Sequence, residues 1–341
     1  MCPIIPRSEQ FIHSISWQSE LSRVIKDVRS LLDYTGNHLN GIQGLDTDKL
    51  DFPLRVPQPY ANRIEQGNPA DPLLLQVLPL AIEKLPVPGY VSDPLGEANS
   101  NIQPGIIHKY KGRVLLILAG SCAINCRYCF RRHFPYQENQ NSSAEWQSAL
   151  DYIRRDDTIT EVILSGGEPL INSDKTLRQL IQNIADIQHV KRLRIHTRLP
   201  VVIPQRVTDE MLDWLTATRL QPVVVVHVNH AAEIDEQVRD ALMRMRSRGV
   251  TLLNQSVLLK GVNDDLSVLK HLSERLFQAG VLPYYLHLLD KTQGTAHFDM
   301  PDTEAQRLLG QLSAQLPGYL VPKLVTEIAG EAAKTQLPAQ L

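Results

Sequence analysis

The sequence predicts an α/β protein whose main body is a partial (β/α)6 TIM-like barrel preceded by a helical region. Six short apolar runs carry the first part of that reading: Val114–Ala119, Val162–Leu164, Leu193–Ile195, Pro222–Val228, Leu252–Leu259 and Leu282–Leu289. Each has the near-continuous hydrophobic character of a parallel strand covered on both faces. Amphipathic segments at helical spacing lie between them, at Thr176–Ile187, Thr208–Leu215, Ile234–Arg248 and Leu266–Phe277, with Gly249 and Gly280 placed as helix stops. The last five runs begin about 30 residues apart, the period of a βα repeat. Such a chain wraps into a barrel whose chemistry sits at the C-terminal ends of the strands. A doubly wound open sheet is the alternative, because periodicity does not fix strand order.

The elements divide the chain into three parts. Residues 1–105 read as a helical region, with Trp17, Leu21, Val24, Ile25, Val28 and Leu32 recurring at helical spacing before stretches rich in Pro, Asp and Asn. Residues 106–335 form the barrel with a C-terminal segment, and 336–341 are a tail. Lys+Arg at 35 against Asp+Glu at 37 leaves no basic excess for tracking phosphates, so nucleic acid is excluded as a partner and a small-molecule substrate fits better. The N-terminus lacks an apolar h-region, and a run such as Val114–Ala119 is too short to span a bilayer. These features predict a cytoplasmic protein without a membrane partner.

Four cysteines are present, and three fall within eight residues in Cys122-Ala-Ile-Asn-Cys126-Arg-Tyr-Cys129, directly after the first strand. Disulfides between such close neighbours are strained, whereas metal binding suits them. Three thiolates in one loop hold an iron–sulfur cluster with one iron open to another ligand. A structural zinc site completed by His133 is the alternative. Cys2 reads as an exposed thiol without a role.

Ser165-Gly166-Gly167-Glu168-Pro169-Leu170 ends the second strand, and its paired glycines let the backbone approach a ligand closely. By itself the pair reads equally as a tight strand-to-helix turn, and Glu168 as a solvated acid at a helix start.

The C-x3-C-x2-C loop followed one βα unit later by Gly-Gly-Glu-Pro resembles the radical S-adenosylmethionine (SAM) superfamily. Further segments narrow the resemblance. Asp93-Pro-Leu, Arg113-Val-Leu-Leu, Cys129-Phe-Arg-Arg-His-Phe, Arg194-Ile-His-Thr-Arg-Leu-Pro, His227-Val-Asn-His230, Asn254-Gln-Ser-Val-Leu-Leu-Lys-Gly and Pro283-Tyr-Tyr-Leu-His-Leu-Leu-Asp290 together resemble the lysine 2,3-aminomutase family. The short branch that makes β-lysine for modifying elongation factor P is the most similar, partly because the chain stops seven residues after Lys334.

The resemblance implies an isomerase that moves the α-amino group of L-lysine to the β-carbon. Its cofactors would be a [4Fe–4S] cluster on Cys122, Cys126 and Cys129, SAM as source of a 5′-deoxyadenosyl radical, and pyridoxal 5′-phosphate (PLP). Gly166, Gly167, Glu168, Pro169, His227 and Gln255 match positions that contact SAM. Lys334 matches the PLP Schiff-base lysine and Arg113 its phosphate partner, although Ala329 stands where the family usually has the first of two glycines. Arg131 matches the binder of the substrate carboxylate. Asp290 and Glu327, the latter where larger aminomutases have Asp, match the acidic pair that meets the far ammonium. The implied partners are lysine, a reductant protein such as flavodoxin or ferredoxin, and, by function, elongation factor P and its lysyl ligase; the oligomeric state stays open. Read without the resemblance, Lys334 is an exposed tail lysine, His227 a core histidine, and Asp290 and Glu327 surface acids.

Overall fold

The computed structural model describes residues 16–48, 51–136 and 143–340. Cys2 and the N-terminal segment beside it lie outside the described residues. Ten strands form one sheet in chain order: β1 (Asn101–Gln103), β2 (Ile106–Tyr110), β3 (Arg113–Ala119), β4 (Glu161–Gly166), β5 (Arg192–Thr197), β6 (Gln221–Val226), β7 (Thr251–Val257), β8 (Leu282–His287), β9 (Lys323–Thr326) and β10 (Thr335–Gln336). Strands β3 to β9 run parallel, each paired with the next, while β1, β2 and β10 add antiparallel flanks. Strictly sequential order is the signature of a barrel wall and rules out the doubly wound sheet, whose order reverses. Among the described residues no pairing joins β1 to β10, so the wall stays open.

Strands β3 to β8 coincide with the six predicted runs. Strand β9 is a seventh parallel strand beyond that set, because Lys323-Leu-Val-Thr326 is too short to announce itself by pattern. The helices between strands bury one apolar stripe each. In Asp174–Ala185, for instance, Leu177, Leu180, Ile181 and Ile184 face the sheet, and Ser173 caps the first turn by accepting from Thr176 N at 3.2 Å. Gly249 and Gly280 adopt φ of +83° and +78°, the left-handed conformation that ends helices.

The helical region departs from expectation in one respect. The residues from Trp17 to Leu32 form two short helices, Trp17–Ser22 and Val28–Tyr34. Asp27 interrupts them by capping the second, accepting from Ser30 N at 2.8 Å, while Ile25 pairs with Val56 as an isolated bridge. A capping carboxylate and an extended β-branched residue outcompete the helical period here.

Arg206 ties this region to the barrel. Fully buried, it donates to the Leu170 carbonyl at 2.7 Å and to Asp174 at 2.8 Å while lying 4.6 Å from the Trp17 ring centroid. Replacing it leaves Asp174 without its cation and Trp17 without its packing partner. Arg206→Met is therefore expected to lower the unfolding free energy by about 3–5 kcal/mol in chemical denaturation, and an unchanged midpoint would rule out this tie.

Candidate active site

Side chains in a strand alternate between faces, so residues i and i+2 look into the same space. In β4 these are Glu161, Ile163 and Ser165; in β5, Arg194 and His196; in β7, Thr251, Leu253, Gln255 and Val257; in and beyond β8, Tyr285, His287 and Leu289. Together with the loops they line a cavity of about 640 Å³, within the range of cofactor and ligand pockets. It reaches from the strand starts at Arg113 and Glu161 to the loops beyond the strand ends. Chemistry is thus available along the whole lumen, beyond the strand-end placement expected from sequence.

Cys122, Cys126 and Cys129 are free, partly buried thiols on the loop that leaves β3. Burial pushes the Cys122 and Cys129 thiols up, Cys129 to about 11, and the neighbouring cysteines add to the shift. Thiolates here need a compensating cation, which a metal centre supplies. His133, the fourth ligand of the zinc alternative, is exposed and turns Nε2 to the Gln293 carbonyl at 3.1 Å.

The glycine segment lies directly against this loop. Gly167 N donates to the Ala119 carbonyl at 2.8 Å and Glu168 N to the Ser121 carbonyl at 2.9 Å. A β-carbon on Gly167 would stand 2.4 Å from the Ser121 oxygen, so any side chain there would displace the cysteine loop. Gly166 has φ of +113°, a conformation that disfavours other residues. The close approach that demands glycine is thus, in the first place, one of backbone to backbone.

Glu168 is buried at 4% exposure rather than solvated. One carboxylate oxygen accepts from Thr197 Oγ1 at 2.6 Å and Leu170 N at 3.1 Å; the other accepts from Arg198 N at 2.9 Å and Leu199 N at 3.1 Å. Burial raises its pKa, and these bonds pull the other way. Arg198, which the site reading from sequence did not include, follows the same β5 strand end. Its guanidinium donates to Cys126 Sγ at 2.6 Å, to Gln76 at 2.8 Å and to the fully buried Glu233 at 2.8 Å. The signal available was an arginine placed immediately beyond a barrel strand.

Pro169 and Leu170 are buried in the short helical turn after Glu168. His196 and His227 meet edge to face with ring centroids 6.0 Å apart, and His287 joins them on the cavity wall. Burial lowers the pKa of all three, that of His227 to about 4 with help from the charges of Arg198 and Arg131. Each keeps a buried Nε2 without a partner among the described residues, so three neutral imidazoles remain available to a ligand. Gln255 lines the same cavity.

Arg131 and the acidic residues share that cavity as well. Arg131 is buried, stacks on Phe130, and donates from Nε and Nη2 to the two oxygens of Glu97, each at 2.7 Å. Lys334 is no tail lysine: it sits in the turn of the β9–β10 hairpin with Nζ 2.6 Å from Glu327. Lys109 reaches the other oxygen of Glu327 at 2.9 Å. Although burial alone would raise it, the Glu327 pKa is drawn down to about 2 by Lys334 and Lys109. Asp290 goes the other way: burial, then the charge of Glu327, lifts it to about 7. The Arg113 guanidinium stacks over Tyr110 at 4.5 Å and makes no hydrogen bond or ion pair with the side chains of the described residues. Ala329 is exposed, and the adjacent Gly330 has φ of +88° with open space around it.

Comparison with known proteins places these features in a family. The radical SAM superfamily model matches residues 116–271. The L-lysine 2,3-aminomutase of Haemophilus influenzae is 51% identical over 97% of this chain and 98% of its own length. That of Escherichia coli is 49% identical over 95% of each chain. The Clostridium subterminale enzyme of the same name is 35% identical over 94% of this chain and 77% of its own. Matches of this identity and extent, on a sequential parallel barrel wall with a three-thiol loop at its first strand, show that the chain belongs to the L-lysine 2,3-aminomutase family of radical SAM isomerases, enzymes that work with a [4Fe–4S] cluster and SAM.

Proposed function

We propose that the protein converts L-lysine to β-lysine by 2,3-amino migration, with the cluster on Cys122, Cys126 and Cys129 and PLP carried by Lys334. The supporting observation is that the three thiols, the unpartnered histidines, Arg131, Asp290 and the Lys334–Glu327 pair all line one cavity. When bound, the cluster and SAM supply a carbon radical and PLP supplies a π-system that lets nitrogen migrate.

The chain's own residues bind, orient and exclude water. Arg198 neutralises charge at Cys126 and, with Glu233 and Gln76, holds the cysteine loop in register with the β5 strand end. The backbone of Gly166 and Gly167, set by Glu168 and Pro169, lines the space proposed for SAM, and His227 and Gln255 face the same space. Glu327 orients Lys334 Nζ, while Arg113, free of ion pairs among the described residues, is a cation available for a phosphate. Arg131 would hold the substrate carboxylate by the guanidinium edge that Glu97 leaves open. Asp290 would face the side-chain ammonium. A role in supplying β-lysine for elongation factor P is part of the proposal and rests on the likeness to the short branch of the family. Deleting the gene and weighing the host's elongation factor P for loss of a lysyl-sized modification tests that role.

Anaerobically prepared protein should be brown, contain iron and sulfide, and lose SAM cleavage when any of Cys122, Cys126 or Cys129 becomes Ala; one zinc and no iron per chain would end the proposal. Borohydride should trap PLP on Lys334, and a trapped adduct in Lys334→Ala protein would assign the carrier to another lysine.

The Asp290 pKa near 7 gives a signed expectation for lysine binding. An ammonium beside Asp290 favours its ionised form, so binding expels a proton when the free group is protonated. Affinity for lysine should therefore rise with pH up to about 7 and level off above it. Calorimetry at pH 6 in buffers of different ionisation enthalpy should show proton release that vanishes in Asp290→Asn, which should also lose about 3–5 kcal/mol of lysine-specific stabilisation. Proton uptake, or better native turnover of glutamate than of lysine, would refute the assignment of lysine.

A further inference from the structure

Two residues that no site assignment above includes connect the two ends of the substrate region. Glu97 opens the short helix Glu97–Ser100, where its backbone N donates to Asp93 Oδ1 at 3.0 Å. Its carboxylate occupies the Nε/Nη2 edge of Arg131 at 2.7 Å on both oxygens. Lys109, on β2, stands 3.7 Å from Glu97 and 2.9 Å from Glu327, and Glu327 is 2.6 Å from Lys334. Charges therefore alternate without a break from Arg131 through Glu97, Lys109 and Glu327 to Lys334. Side-chain exposures of 8%, 7%, 14%, 12% and 22% along this series keep water from replacing the links.

Three consequences follow from that geometry. Arg131 retains only its outer edge for a ligand, where Nη1 already lies 3.3 Å from Ser165 Oγ. Glu327 already meets two ammonium groups, which leaves Asp290 as the carboxylate without a lysine bonded to it. The separation between Arg131 and the acidic end is set by one short, doubly ion-paired link on two fixed backbone elements. We infer that Glu97 and Lys109 are positioning residues that fix the length of the amino acid the site accepts. This rests on the reading that substrate spans from Arg131 to Asp290.

A network that served stability alone would change melting temperature and leave length preference intact, so the two roles separate experimentally. The measurement is an optical titration of PLP-loaded, SAM-free protein with lysine and with ornithine, one methylene shorter, alongside a thermal melt. Native protein should prefer lysine by a factor of about 10–200, the range one methylene commands in a shaped pocket. Lys109→Gln, and Glu97→Asp, which retracts the carboxylate by one methylene, should each cut that ratio by about tenfold. Lys109→Arg, keeping the charge and the reach, should restore most of it. Folded variants that weaken both ligands equally and keep the native ratio would overturn the inference while leaving the lysine assignment standing. If Lys109→Gln fails to fold, Glu97→Asp and Lys109→Arg decide the question on the same ratio. Native protein that fails to prefer lysine would sink the underlying reading itself.

Discussion

A carboxylate taken out of water is tolerated only when its lone pairs are filled, and Glu168 has all four acceptor positions occupied by the chain itself. Much of the site's geometry hangs on that constraint. Three of the donors come from Thr197, Arg198 and Leu199, so the loop leaving β5 is fastened to the loop leaving β4. Arg198, with its backbone fixed in this way, extends its guanidinium to Cys126 and Glu233. Through one buried anion, the cysteine loop, the glycine segment and the β6 loop become a single piece. Glycine at 167 permits the same closeness by removing the β-carbon that would collide with Ser121.

The opposite part of the cavity is organised by charge rather than by backbone donors. Its two named acids occupy unlike states: ammonium groups hold Glu327 ionised, and burial holds Asp290 near neutrality in pKa. Environment, not residue type, separates their roles. Three neutral imidazoles line the wall with unfilled nitrogens. Such unfilled polar groups carry a cost in an isolated chain, and it is offset when a ligand meets them.

What the sequence disclosed follows from how local each signal is. Strands β3 to β8 were legible because each carries a short apolar run and the runs recur at the period of a βα repeat. The cysteine loop and Lys334 were legible through motif and family likeness. Strands β1, β2, β9 and β10 were not: they are two to five residues long, and their existence depends on a partner supplied by the sheet. Glu97 escaped notice in a Pro- and Asp-rich stretch without period, and Lys109 in a five-residue antiparallel strand. Neither has a local signature, since each is defined by an ion pair across 34 or 218 residues of chain.

The hairpin that bears Lys334 has a mechanical meaning of its own. Strand β10 spans two exposed residues at the open margin of the wall, held to β9 at Thr335 and Gln336 and reinforced by Leu337 N on the Leu324 carbonyl at 2.9 Å. Margins with so few protected amides open at a small fraction of the free energy that unfolds the interior. Lys334 therefore rides on a short, sparsely bonded margin of the wall, and a group attached to it would act as a clasp on that margin.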